Sequence, residues 1–101
     1  MMKHQLVFQF DGLDFDTLIS VEDALIKGLH SSADVDGHDI GSGQSNIFIF
    51  TEDPVGTLHK AREIFHDCGL LSIAFKAASR RVGENHYVIL WPPEMSDFQV
   101  A

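Results

Sequence analysis

The stretch NIFIFTEDP, residues 46–54, decides how this chain is read. Asn46-Ile47-Phe48-Ile49-Phe50-Thr51 is an apolar run of strand-forming residues, the pattern of a central strand with both faces partly covered. Asp53-Pro54 ends it with an N-cap followed by Pro at the first helical position, where the missing N–H is not needed. Leu58, Ala61, Phe65 and Cys68 continue as the buried stripe of a helix, and Gly69 is its natural stop.

Other elements follow outward on both sides. Residues 5–10 (QLVFQF) read as a strand with Leu6, Phe8 and Phe10 on one face and Val7 and Gln9 on the other. Residues 16–29 carry apolar side chains at helical spacing (Leu18, Val21, Leu25, Leu29), with Asp14 or Asp16 as the cap. Residues 35–40 form a weakly apolar strand suited to a sheet edge, and GSGQSN at 41–46 has the composition of a turn. Downstream, 70–77 alternates with Leu71, Ile73 and Phe75 on one side, Gly83-Glu84-Asn85 turns the chain, and 86–91 forms a last strand stopped by Pro92-Pro93. The order β-α-β-β-α-β-β predicts an α+β, ferredoxin-like βαββαβ sandwich with an additional C-terminal strand. Its antiparallel sheet would carry two helices on one face and leave the other bare. Residues 1–93 are expected to form a single domain, and 94–101 a loose tail.

Composition narrows the partners. A chain of 101 residues, 45% of them hydrophobic, is enough for one core and one domain. The net charge is −8, from 15 acidic and 7 basic residues, which repels nucleic acid and anionic membranes and attracts a basic protein. Cys68 is the single cysteine, so no internal disulfide forms. With no secretory pattern in MMKHQLVFQF, this suggests the cytoplasm. No apolar run approaches the roughly 18 residues of a membrane span.

Several clusters are candidate sites. Asp36, His38 and Asp39 put two carboxylates and an imidazole within four residues, a set that can serve a divalent ion or a general base. On a regular strand Asp39 points away from the other two, so convergence needs a bulge, which Gly37 permits. The simpler reading is a charged edge strand that resists pairing with other sheets. Gly41-Ser42-Gly43 invites an anion reading, but it joins two strands and lacks the following helix and Lys of phosphate loops. His59, Glu63 and His66 share one helix face opposite the apolar stripe, which reads as a solvated face. Phe8, Phe10, Phe48 and Phe50 would lie side by side, as stacking aromatics do in RNA-recognition sheets, yet the accompanying basic residues are absent. Arg80 and Arg81, with Lys76 nearby, are the one basic cluster and suit an anionic ligand or a partner's carboxylate. Cys68 reads as a small core residue.

The segment DGHDIGSGQSNIFIFTEDP (36–54), together with WPP at 91–93, resembles a group of short bacterial ferredoxin-like proteins that share a DGHDxGSGxxNIFI-type stretch. No activity attaches to that group, so the resemblance implies only that 36–54 acts as a unit. The topology is also similar to that of ACT-type ligand domains and dimeric α+β barrel proteins, a fold analogy without functional force.

The leading expectation is a small non-enzymatic binding module, self-paired as a homodimer or bound to another protein. It would use its open sheet face (Asn46, Phe48, Phe50) and the 36–46 hairpin (Asp36, His38, Asp39, Ser42), with no cofactor and no metal. A small-molecule ligand is compatible with Arg80 and Arg81. One alternative is an immunity-type inhibitor steered by its acidic charge to a basic toxin or nuclease. Another is a small enzyme or metal site on Asp36, His38 and Asp39, with His4 or His86 brought near.

Overall fold

The computed structural model describes residues 3–30, 32–41, 43–69 and 75–93. The elements are β1 (His4–Asp11), α1 (Phe15–Leu29), β2 (Asp34–Gly41), β3 (Gln44–Thr51), α2 (Pro54–Asp67), β4 (Lys76–Arg81) and β5 (Val88–Trp91). The architecture is α+β, with two helices and a five-stranded sheet in the order β2-β3-β1-β4-β5 whose paired strands all run antiparallel. No helix among the described residues is long and apolar enough to cross a membrane.

β1 lies at the centre because it is apolar on both faces, with Leu6, Val7 and Phe8 fully buried. Its register sorts the sheet. Leu6 pairs with Ile49 and Phe8 with Ile47, while Val7 pairs with Phe48 and Gln5 with Phe50. Leu6, Phe8, Phe10, Ile47 and Ile49 therefore face the helices and join Leu18, Val21, Leu25, Leu29, Leu58, Ala61 and Phe65 in one core. The expected alignment of Phe8 and Phe10 with Phe48 and Phe50 is corrected by this register. The residue directly across from Phe8 is Ile47, so the two phenylalanine pairs point to opposite faces.

Three rings lock the helix side. Phe8, Phe65 and Phe75 meet edge-to-face with centroids 5.4–5.9 Å apart. Phe75 also stacks on Trp91 at 6.4 Å, and the Arg62 guanidinium lies 4.0 Å above the Trp91 ring. This seals the β5 edge of the core.

Some element boundaries differ from expectation. The fourth strand runs from Lys76 to Arg81, and most of the expected strand 70–77 lies outside the described residues. Phe75 precedes it, and Leu71 and Ile73 lie outside the described residues, as does the tail 94–101. Lys76-Ala77-Ala78-Ser79 carries little hydrophobic signal, yet Ala77 and Ala78 are fully buried, flanked by Phe8 and Val7 on β1 and by Trp91 and Ile89 on β5. Cys68 does not belong to the core: α2 ends at Asp67, and Cys68 is its exposed C-cap, followed by Gly69 at φ 73°.

Caps and close approaches set the helices. The Asp14 carboxylate accepts from the Thr17 hydroxyl at 2.6 Å and the Thr17 N–H at 3.1 Å. The hydroxyl first, and the N–H second, hold its pKa below the ordinary value. A carboxylate whose folded pKa is lowered stabilises the fold above its unfolded pKa, and that contribution is lost as pH falls through the folded value. Asp14→Ala is thus expected to lower the melting temperature at neutral pH. The gap from the parent should close as the pH is taken below the carboxylate range, as followed by circular dichroism.

Where α1 meets α2, a Cβ on Gly28 would strike the Ile64 side chain. Ala at this position gains up to ~1 kcal/mol of helix propensity, which offsets the cost of moving the Ile64 side chain aside. Val adds bulk for a smaller gain, so Gly28→Val should destabilise by about 1–3 kcal/mol in urea melts while Gly28→Ala stays near neutral.

Candidate functional site

The helix-free face is a grid of cross-strand rows. The central row reads Gly37, Phe48, Val7, Ala78, Ile89 across all five strands. On one side runs Asp39, Asn46, Gln9, Lys76, and on the other Asp34, Phe50, Gln5, Arg80. Both polar rows are tied internally: Gln9 Nε2 donates to Asn46 Oδ1 at 3.1 Å, and Arg80 Nε donates to Gln5 Oε1 at 2.8 Å. Each row begins with a carboxylate on β2 and ends with a cation on β4. Sorting of this kind gives the face an acidic side at β2 and a basic side at β4.

The face is not bare, contrary to expectation. Val7 and Ala78 have no solvent access, Asn46 is 1% exposed, and Phe48, Phe50 and Ile89 are part-buried. The large hydrophobics most open to water, among them Phe15, Ile40, Val55 and Val88, are not in its central row.

The Asp36, His38 and Asp39 set does not converge. A bulge does fall between Val35 and Gly37, placing the exposed Asp36 within the irregularity. His38 turns to the helix side, where its Nδ1 lies 3.1 Å from Glu22 Oε2 on α1 and its ring meets Phe15 edge-on. Asp39 faces the other way, opposite Asn46. Ser42 lies outside the described residues. The true partner of His38 is thus Glu22, sixteen residues earlier, a link that no local spacing reveals. His59, Glu63 and His66 are exposed on α2, and no group of three metal-binding side chains gathers among the described residues.

Arg80 and Arg81 separate, as neighbours on a strand must. Arg80 joins the helix-free face and also donates to the Glu84 carbonyl at 2.9 Å. Arg81 pairs with His4 in register on the helix side. There, at the sheet end beyond α2, a cleft of about 490 Å³ brings His4, Arg81 and His86 together with Val55, Val88 and Leu90. His4 and His86 therefore line this cleft and do not join the His38 cluster.

One wall of the cleft is the first turn of α2, and it is pinned to β3. Thr51 and Thr57 hydroxyls share a buried hydrogen bond of 2.7 Å, and Thr51 Oγ1 accepts from Asp53 N–H at 3.0 Å. The Asp53 carboxylate in turn accepts from Gly56 N–H at 3.0 Å. No family model matches the chain, and no curated protein or solved structure matches it.

Thr51→Val strands the Thr57 hydroxyl and the Asp53 N–H, so it should cost about 1–3 kcal/mol. Replacing both threonines by valine should cost less than the sum of the single changes in denaturant melts, because the pair is removed together.

Proposed function

We propose that this chain is a non-enzymatic binding module of ferredoxin-like type that pairs with a second copy through its helix-free sheet face. The fold reading is supported by the first four strands, which from the far edge run β4-β1-β3-β2. Each helix joins two parallel strands, and each such pair has another strand inserted between its members.

The observation that carries the pairing is the charge sorting of the two polar rows. Consider a two-fold axis along the seam between β1 and β3. It lays the β2 edge of one copy over β4 of the other. Asp34 then meets Arg80 of the second copy and Asp39 meets Lys76, twice each by symmetry. Phe48 lies over Val7, and the contact between copies is made by the Phe48 and Phe50 edges rather than by the buried floor. An axis across the strands would instead set Asp34 over Asp39, so the charges select one arrangement. The hairpin of residues 36–46 forms the rim and supplies Asp39.

Sedimentation equilibrium tests this. The parent should dimerise, Phe48→Asp should be a folded monomer, and Asp39→Lys or Lys76→Glu alone should each weaken the dimer by roughly tenfold. The double variant Asp39→Lys/Lys76→Glu should recover most of that loss. A parent that stays monomeric, or charge reversals that simply add, would contradict the pairing.

A further inference from the structure

We infer that the cleft formed by β1, β4, β5 and the start of α2 binds a small amphiphile bearing a carboxylate. Its size of about 490 Å³ lies within the range of small-molecule sites, roughly 300–1,000 Å³. The walls are apolar and open to water. Val55 on α2 is 53% exposed and Val88 on β5 is 54% exposed, although both are large hydrophobics. Two such side chains facing one cleft are a surface waiting to be covered.

The rim has the opposite character from the molecule as a whole. The chain carries a net charge of −8, yet the cleft collects His4, Arg80, Arg81 and His86, with Glu84 the one acid on it among the described residues. Arg80 is held by Gln5 and the Glu84 carbonyl, whereas the Arg81 side chain is exposed and makes no hydrogen bond or ion pair with a described residue. Its fork of donors matches a carboxylate bidentately. The buried Ser79 and the part-buried Leu90 lie deeper in the same cleft, where a short alkyl or aryl body would rest. A ligand with an apolar body and a carboxylate head satisfies both halves at once. A fully polar anion leaves the valines wet, and a neutral hydrocarbon leaves Arg81 unpaired.

Octanoate and 1-octanol separate these contributions, because they share a chain and differ in the head group. In amide chemical-shift titrations, octanoate should move the resonances of His4, Ser79, Arg81 and Val88 in a saturable way. Octanol should bind about tenfold more weakly, the worth of one charged hydrogen-bonded pair. Arg81→Gln should cut octanoate affinity by about the same factor and leave octanol unchanged, with the unliganded spectrum otherwise preserved. Val55→Ser should weaken both ligands. Equal affinity for the two ligands, shifts scattered away from the cleft, or an Arg81→Gln variant that binds octanoate as the parent does would each overturn the assignment. None of these outcomes depends on whether the sheet face pairs.

Discussion

Phe8 is the side chain on which the two layers meet. It sits at the middle of the central strand with no exposed surface, and touches Phe65 from α2 and Phe75 from the approach to β4. Burying a ring of this size stabilises by about 1.5–3 kcal/mol before the edge-to-face geometry adds its share. Because strand side chains alternate, placing Phe8 under the helices commits Leu6 and Phe10 to the same side. It also commits Gln5, Val7 and Gln9 to the other.

Both candidate surfaces follow from that commitment. On the helix-free side the neighbours of Val7 are set by register, and the flanking rows run from acid to base because β2 supplies Asp34 and Asp39 while β4 supplies Lys76 and Arg80. On the helix side β1 starts with His4 beside Arg81, past the point where α2 begins to cover the sheet. The Thr51–Thr57 hydrogen bond then holds the first turn of α2, and with it Val55, at the edge of the cleft. One packing choice thus divides the molecule into a charge-sorted face and a basic, apolar-walled cleft.

Much of the fold was legible in the residues. Asp53-Pro54 and Asp14 announced their helices because capping chemistry is local, and NIFIFT and QLVFQF announced strands because burial on both faces leaves a run of apolar residues. The extension of β4 through Ala78 to Arg81 was missed, because KAASRR carries no alternating apolar signal of its own. The site was harder to read. Arg80 and Arg81 were visible as a pair, but their separation to opposite faces depends on strand register, and so does the meeting of His4 with Arg81. Glu22 gave no sign of its role, since only the packing of α1 on β2 brings it to His38. The phenylalanines were assigned to one face for the same reason: alternation is visible within a strand, but the offset between two strands is not.

The central proposal is that two copies stack through the helix-free face in one orientation. An isotope-filtered NOE experiment on a mixture of ¹³C-labelled and unlabelled chains reads this directly. The account predicts contacts between copies among the Phe48 and Phe50 rings, with Asp39 of one copy brought near Lys76 of the other. Contacts between copies confined to the β2 edge or to the helices, or none at all, would contradict it.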